Sequence, residues 1–407
     1  MAESIKNRLI ITKVRNNIIS CLYQDQKMVQ LNIYPKNQSS QNLLGNIYVG
    51  KVKNIVKNIN AAFVEISHGL ICYLSLEKAI NPIFTKEKKQ SNITIGDELF
   101  VQVSKVNVKT KAPVVTVDLN FTGKYVVLIH GKPMVAISSK ITNPIKREEL
   151  KECLSKYQGD SYGFIARTNS ESVDLDQVRQ EINLLIEKYE KVKKYGVYKN
   201  RFSLVYETPP GYICDIRDNL NDHMDEIITD HEKLYKEIST YIKNYQEEDS
   251  LKLRFYKEKE ISLNKLYGIE GKIKNLLKEK VWLKSGGSII IQPTEALTVI
   301  DVNTEKAIKG NKRNPQKTFF NINLEAGKEI ARQIRLRNLS GIIIIDFIDM
   351  NNKEDKEILM QKLRQYFAKD PIKTVLIGMT PLNLVEVTRK KIRKPIYELI
   401  TIKDLEL

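Results

Sequence analysis

Two short apolar runs in the last third of the chain carry carboxylates at their ends. Residues 297–303 contain Asp301 and Asn303, and residues 341–349 contain Asp346. Continuous apolar runs of this length, rich in β-branched residues, are typical of strands buried on both faces. A carboxylate at the end of such a strand is costly unless it is paired or binds a metal ion. Two such acids on neighbouring strand ends would form an oxygen-rich pocket suited to Mg²⁺.

The spacing of Asp301 and Asn303 places both side chains on the same side of an extended segment. Together with Asp346 they could offer oxygen ligands to Mg²⁺, with water filling the remaining positions. Such an ion could polarise a phosphoryl oxygen and lower the pKa of a bound water. The alternative is that both acids are ordinary strand-end residues capped by turns, and the residues favour neither interpretation. Asp349 is a further candidate that is equally well placed to cap a turn.

Aromatic side chains in the first third of the chain form a second candidate site. Phe63 and Tyr73 lie on adjacent predicted strands, and Lys111 lies in the loop before the next strand. Exposed aromatic rings stack on bases, and a nearby lysine can contact the phosphate backbone. The alternative is that Phe63 belongs to the core, which is the commoner outcome for such spacing. Tyr73 fits an exposed position better.

Two groups of basic residues could bind phosphate. Arg167 and Thr168 follow a predicted strand, where a guanidinium, a hydroxyl and backbone N–H groups could hold a terminal phosphate. Residues 389–394 form a basic run that could contact a phosphate backbone. In both cases a solvated strand end or charged face explains the residues at least as well.

The composition points to a polyanionic partner. The 407 residues include 66 Lys and Arg against 49 Asp and Glu, which gives a net charge of +17. The absence of a long apolar stretch predicts no integral membrane segment, and the first residues lack the apolar region of a signal peptide. The four cysteines are far apart and form no C-x-x-C pair, which argues against a zinc site.

The hydrophobic pattern predicts a multidomain α/β protein with a β-barrel. Residues 8–12 and 17–23 are predicted strands, followed by a linker at 34–40. Five short strands indicate a closed barrel of the OB type, with a loop at 82–92; they are residues 45–52, 61–66, 71–74, 96–103 and 114–117. Helices are predicted at 145–156, 174–194, 222–245, 261–280 and 323–336, with strands at 125–129 and 162–168. After residue 284 strands and helices alternate, as in α/β folds.

The carboxylate runs and the helix between them closely resemble the ribonuclease E/G family. The similarity follows an ordered series of segments, DVN at 301–303, TFFNINLEA at 318–326, EIARQIRLRNL at 329–339 and IDFIDM at 345–350. It extends to residues 50–74, which resemble the OB-fold domain of that family. Essentially the whole chain is similar to the large catalytic domain.

The resemblance implies a ribonuclease-H-like subdomain with an inserted OB fold and 5′-end sensor, followed by a deoxyribonuclease-I-like α/β subdomain. The implied division is 1–35 and 214–279 for the ribonuclease-H-like subdomain, 36–122 for the OB fold, 123–213 for the sensor and 280–400 for the deoxyribonuclease-I-like subdomain.

The resemblance also implies residue roles in an Mg²⁺-dependent endoribonuclease that prefers single strands and leaves 5′-phosphate and 3′-hydroxyl ends. Asp301 and Asp346 match the metal-binding aspartates, and Asn303 matches the asparagine that orients them. The residues that match RNA-gripping positions are Phe63, Tyr73 and Lys111. Those that match the pocket sensing a 5′-monophosphate are Gly123, Val127, Arg167 and Thr168.

The chain also departs from the pattern of the family. It ends at Leu407 without the C-P-x-C element whose cysteines share zinc between two chains, and without the small domain that follows it. We therefore expect no zinc-linked dimer, and the oligomeric state stays open. Thr304 and Glu305 replace small residues after the asparagine, which adds an acid near the predicted metal site, and Tyr73 replaces phenylalanine.

These observations predict an endoribonuclease that cleaves single-stranded, A/U-rich RNA in RNA processing and decay. The alternatives are a non-catalytic RNA-binding protein and a subunit that needs a partner, either a second copy or another protein of an RNA-processing complex. The richness in Lys, Asn and Ile resembles coding by an AT-rich genome. We therefore expect a plastid stroma, with a bacterial cytoplasm as the alternative.

Overall fold

The computed structural model describes residues 6–35, 43–88, 92–106, 112–219, 223–258, 260–305 and 315–406. Its strands are β1 (Asn7–Val14), β2 (Asn17–Gln24), β3 (Lys27–Pro35), β4 (Ile47–Val56), β5 (Ala61–Ser67), β6 (Leu70–Ser75), β7 (Glu98–Lys105), β8 (Val114–Thr116), β9 (Asn120–Thr122), β10 (Val126–His130), β11 (Val135–Ile137), β12 (Tyr162–Ala166), β13 (Leu204–Tyr206), β14 (Glu226–Thr229), β15 (Leu253–Phe255), β16 (Lys280–Trp282), β17 (Ser288–Pro293), β18 (Leu297–Asn303), β19 (Gly341–Asp346), β20 (Thr374–Met379) and β21 (Leu384–Arg389). Its helices are α1 (Pro144–Ser155), α2 (Leu175–Gly196), α3 (Gly211–Asn219), α4 (Glu232–Tyr245), α5 (Leu263–Leu266), α6 (Ile269–Leu276), α7 (Pro315–Leu336), α8 (Lys353–Ala368) and α9 (Ile402–Glu406).

The chain divides into two compact units. One unit comprises residues 1–36 and 224–407, and the other comprises residues 37–223. The second unit is therefore inserted into the first in sequence. Among the described residues, no helix is long and apolar enough to cross a lipid bilayer.

The discontinuous unit contains two mixed sheets. The first has the strand order β15-β14-β1-β2-β3, and the second has the order β16-β17-β18-β19-β21-β20. In the second sheet β18 and β19 are parallel, while the other neighbours are antiparallel. The apolar residues of α7 and α8 pack on one face of this sheet against alternate residues of its strands. The other face carries exposed side chains such as Val299 and Ile342.

The inserted unit contains a closed barrel and a smaller sheet. Strands β4, β5, β6, β8 and β7 follow one another around the barrel, and β4 pairs with β7 to close it. The predicted five-stranded, OB-like barrel is therefore confirmed. The smaller sheet has the order β11-β12-β10-β9, and the apolar sides of α1 and α2 cover its core.

Three predictions about local structure were incomplete or wrong. The segment predicted as a linker begins inside a strand, because Tyr34 and Pro35 belong to β3, which pairs along its length with β2; residues 36–42 lie outside the described part of the chain. The helix predicted from residue 222 is preceded by β14, a short strand that is buried throughout between β1 and β15. The helix predicted over 261–280 is split into α5 and α6 at Gly268, whose φ is +57°.

The loop predicted at 82–92 is attached to the barrel in its described part. Phe84 forms a bridge with Leu99, and the N–H of Thr85 donates to the carbonyl of Glu98. Lys88 forms an ion pair with Asp97, 2.5 Å between Nζ and Oδ2. This ion pair contributes to lowering the pKa of Asp97, although burial alone would raise it.

A buried ion pair fixes one side of the six-stranded sheet. Arg389 in β21 donates to Asp370, which follows α8, at 2.7 Å, and both side chains are almost fully buried. Arg389 also donates to the Asn338 side chain and to the carbonyl of Leu339. Removing one charge from such a pair leaves the other buried and uncompensated.

We expect Asp370→Asn to lower the free energy of unfolding of this unit by about 3–5 kcal/mol. Urea denaturation followed by the fluorescence of Trp282, which lies in the same unit, would measure the loss. Glu357→Gln is a control, because the Lys353–Glu357 pair is exposed and screened by water. Equal effects of both variants would contradict this assignment.

A buried histidine makes the inserted unit sensitive to acid. The ring of His130 contacts the Tyr189 hydroxyl and the Asn81 carbonyl, each at 2.9 Å. Burial, together with the charge of Lys193, lowers the pKa of His130, against the opposing effects of Asn81 and Asp118. Between the lowered folded pKa and the unfolded pKa of about 6.5, the unfolded chain binds more protons.

The stability of the wild type is therefore expected to fall as pH decreases below about 6.5. His130→Gln should make thermal unfolding less dependent on pH in this window. Melting curves of both proteins at a series of pH values would test this, and identical slopes would show that His130 does not contribute.

Candidate active site

The two predicted catalytic aspartates lie side by side on adjacent parallel strands. Asp301 in β18 is the register partner of Asp346 in β19. Paired residues on neighbouring strands project from the same face. Their face is the one opposite α7 and α8, because the flanking residues Ile300 and Ile345 are buried in the core on the helix side.

Asn303 completes this group. Its Nδ2 donates to Oδ2 of Asp301 at 2.6 Å, as expected for side chains two residues apart on one strand. This hydrogen bond does not use the amide oxygen of Asn303 or the second carboxylate oxygen of Asp301, and both are atoms that could coordinate a cation. The predicted proximity of the three residues Asp301, Asn303 and Asp346 is thus present in the structure.

Negative charges lie close together at this site. Desolvation, followed by the negative charges of Asp301 and Asp349, raises the pKa of Asp346. Asp349 itself is engaged in the following turn, where Oδ1 accepts from the amide of Asn383 at 3.3 Å. In the described part of the chain, no group of three or more His, Cys, Asp or Glu residues is arranged to hold a metal ion. The donor set here is two carboxylates and an amide.

Helix α7 holds the segment after β19 through a buried side chain and the turn before β17 through a partly exposed one. The Asn323 side chain is fully buried, donates to the carbonyl of Ile348 at 2.8 Å and accepts from its N–H at 3.1 Å. Glu325 accepts from the N–H groups of Lys284 and Ser285, in the turn before β17. Neither residue was predicted to have a positioning role. Polar residues within an apolar helical stripe were the available signal.

The predicted aromatic pair lies on the outer surface of the barrel. Phe63 and Tyr73 are opposite one another on β5 and β6, with ring centroids 6.3 Å apart and an edge-to-face geometry. Both rings are half-buried, whereas their neighbours Ala62, Val64 and Cys72 are buried inside the barrel. The rings therefore project outward. Lys111 lies outside the described residues.

Arg167 and Gly123, predicted for phosphate sensing, meet at the end of the smaller sheet. Nη1 of Arg167 donates to the carbonyl of Gly123 at 2.6 Å, and Nη2 forms an ion pair with Asp218 at 2.9 Å. Burial alone would raise the pKa of Asp218, but Arg217 and Arg167 lower it. Thr168 is exposed, with Oγ1 3.1 Å from the Ser138 hydroxyl, and Val127 is half-buried in β10.

Glu181, a residue that the sequence analysis did not identify, holds the turn at Gly123. Its carboxylate accepts from the N–H groups of Lys124, Tyr125 and Val126 at 2.5–2.8 Å. Burial raises the pKa of Glu181, against these three donors and Arg167. A side chain at Gly123 would collide with this carboxylate. The N–H groups of residues 124–126 are thus occupied by the Glu181 carboxylate.

Comparisons with known proteins identify the family of this chain. A sequence model of the Ribonuclease E/G family matches residues 120–392. The chain is 34% identical over 379 residues to Ribonuclease G of Salmonella typhimurium and, equally, to that of Escherichia coli K12, which covers 90% of this chain and 77% of each relative. It is 30% identical to Ribonuclease E of Buchnera aphidicola over 403 residues, or 97% of this chain and 41% of that relative. The chain therefore belongs to the ribonuclease E/G family and is an endoribonuclease.

Proposed function

We propose that this endoribonuclease cleaves single-stranded, A/U-rich RNA with the help of Mg²⁺, and that it acts in RNA processing and decay. The observation that carries the proposal is the juxtaposition of Asp301 and Asp346 across a parallel strand pair. Two carboxylates that repel one another, beside an amide oxygen, suit a hard divalent cation. Burial, followed by the negative charges of Asp301 and Asp349, raises the pKa of Asp346, so that repulsion between the carboxylates contributes to the shift.

The residues fit the roles that such a site requires. Asp301 and Asp346 would hold the cation, which when bound would supply Lewis-acid activation of the phosphodiester and of water. Asn303 fixes the rotamer of Asp301 through its amide hydrogen bond. Asn323 and Glu325 hold the segments on either side of the two strands. The proposed products are a 5′-phosphate and a 3′-hydroxyl, so that the bond between phosphorus and O3′ breaks and water supplies the new oxygen.

The inserted unit is proposed to bind the substrate. Phe63 and Tyr73 would stack on bases beside the cut, with Lys111 contacting the backbone. The division of the chain into five segments, with the OB fold at 36–122 and the sensor at 123–213, also belongs to this proposal. The excess of 66 basic over 49 acidic residues would attract the RNA.

Arg167 and Thr168 are proposed to recognise a 5′-monophosphate, with Gly123 and Val127 shaping the pocket. Asp218 and the Gly123 carbonyl orient the guanidinium, which presents a fixed set of donors.

A second copy of the chain or another protein of an RNA-processing complex is a further proposed partner. The proposed location is a plastid stroma, although the named relatives are bacterial proteins.

Asp346→Asn is expected to lower the cleavage rate of a short, A/U-rich single-stranded RNA by about 100-fold or more, the scale of losing one electrostatic partner of the transition state. RNA binding, measured by anisotropy, should persist. Mg²⁺ should raise the melting temperature of the wild type and not of the variant, since ligands stabilise the state that binds them.

Glu357→Gln is a control for the Asp346 variant, because Glu357 is exposed on α8 and pairs there with Lys353. It should keep most of the activity and the Mg²⁺-dependent rise in melting temperature. Tight RNA binding by a wild type that does not cut would instead favour a binding protein or a subunit that needs a partner.

Arg167→Ala should remove the preference for 5′-monophosphorylated over 5′-hydroxyl substrates, bringing the ratio of their cleavage rates close to unity. Thr168→Val should lower this ratio while leaving the Arg167–Asp218 ion pair intact. Arg179→Ala is the control, because Arg179 lies on the exposed side of α2 and pairs with Asp176. An unchanged ratio in both test variants would refute the sensor.

A further inference from the structure

Trp282 is on the same face of the sheet as the proposed catalytic residues. Strand β16 forms the edge of the six-stranded sheet, where Lys280 pairs with Ile290 and Trp282 pairs with Ser288 of β17. On the other side of β17, Ile290 is the partner of Asp301 and Ser288 is the partner of Asn303. Partners in a ladder project from one face.

Val281 confirms this orientation, because it packs against the core under the sheet, on the opposite face from its neighbours. Lys280 and Trp282 therefore project to the open face. Adjacent strands are about 4.8 Å apart, so that the backbone at Trp282 is about 10 Å from that at Asn303. The half-buried side chain of Ile290 forms an apolar floor between Lys280 and Asp301.

The indole ring is exposed and held in place. Trp282 is 56% exposed. Nζ of Lys280 lies 4.4 Å from the ring centroid, and Glu305 pairs with the same Nζ at 2.6 Å. Glu305 also accepts from the hydroxyl of Ser288 at 3.2 Å. A cation over one face fixes the ring and directs its exposed area to the other face.

Trp282 also borders a basic cleft. The cleft has a volume of about 650 Å³ and lies within the discontinuous unit. The basic residues that line it are Lys27, Lys272, Lys278, Lys280 and Arg332. The ring thus lies between the carboxylate pair and a surface that attracts a phosphate backbone.

We propose that Trp282 is a stacking platform for a base of the RNA substrate, close to the scissile phosphate on the side that leads to the basic cleft. An RNA strand whose phosphate lies at Asp301 and Asp346 would pass over Ile290 before it reaches the ring. Stacking on an aromatic ring tolerates any base, so this subsite adds affinity and fixes the position of the strand. The inference rests on the proposed function, because it takes the carboxylate pair as the point of cleavage.

Trp282 is the only tryptophan in the chain, so its fluorescence reports this site alone. Titration of the wild type with a short, A/U-rich single-stranded RNA in EDTA, which prevents cutting, should quench the fluorescence and reach saturation. A series of RNAs with one abasic position each should lose the quenching when the missing base is near the cut. Quenching that is absent, or the same for every abasic position, would overturn the proposal.

Trp282→Ala should raise KM about tenfold, within the range for loss of one stacked base, with little change in kcat. Trp282→Phe should restore most of the affinity, because it keeps an aromatic face. Tyr198→Ala is the control, since Tyr198 is 84% exposed in the other unit and should leave KM unchanged. Circular dichroism and melting curves would verify that the variants are folded.

The outcomes separate this inference from the proposed function. If the wild type cuts RNA with Mg²⁺ but Trp282→Ala has the same KM, the platform is wrong and the nuclease proposal stands. If RNA quenches the fluorescence in the expected pattern but the wild type does not cut, the binding site stands and the catalytic proposal fails. The fluorescence of the wild type without RNA should not depend on protein concentration. If it does, and if light scattering gives a lower molar mass for Trp282→Ala than for the wild type, then Trp282 lies in a contact between two copies of the chain. That result would overturn the proposal.

Discussion

The repulsion between Asp301 and Asp346 is the constraint on which the candidate site depends. Parallel pairing of β18 and β19 makes the two aspartates register partners, and neither can turn to the helix-covered face without entering an apolar core. Burial raises the pKa of Asp346, and the negative charge of Asp301 raises it further. Because the register places both carboxylates on one face of the sheet, they meet without any rearrangement of the backbone.

Other acids in the molecule are stabilised by donors. Glu181 and Glu325 accept backbone N–H bonds in turns, Glu305 pairs with Lys280, and Asp370 pairs with Arg389. Each of these carboxylates holds a segment in place. Asp346 differs from these acids, because the charged residues beside it are the aspartates Asp301 and Asp349.

The two faces of the six-stranded sheet carry different sets of residues, and we expect one face to serve folding stability and the other the reaction. One face is sealed by α7 and α8, and Asn323 in α7 extends its hold to the segment that follows Asp346. The other face carries the aspartates, Asn303, Ile290 and Trp282 in adjacent rows of the ladder. Substitutions on the sealed face are expected to affect folding, and those on the open face to affect the reaction. In the inserted unit, Phe63 and Tyr73 project from the barrel in the same way.

The sequence by itself determined the strands and helices with strong periodicity, the five barrel strands, and the shared side of Asp301 and Asn303, because these follow from spacing within a short segment. It did not reveal β14, whose short run of residues becomes a strand only between two partners. Nor did it reveal the hydrogen bonds of Glu181 and Asn323, or the position of Trp282 on the same face as the two aspartates. Only the tertiary structure decided those, because a hydrogen bond across 57 residues and a row of side chains across several strands depend on register, which no local pattern contains.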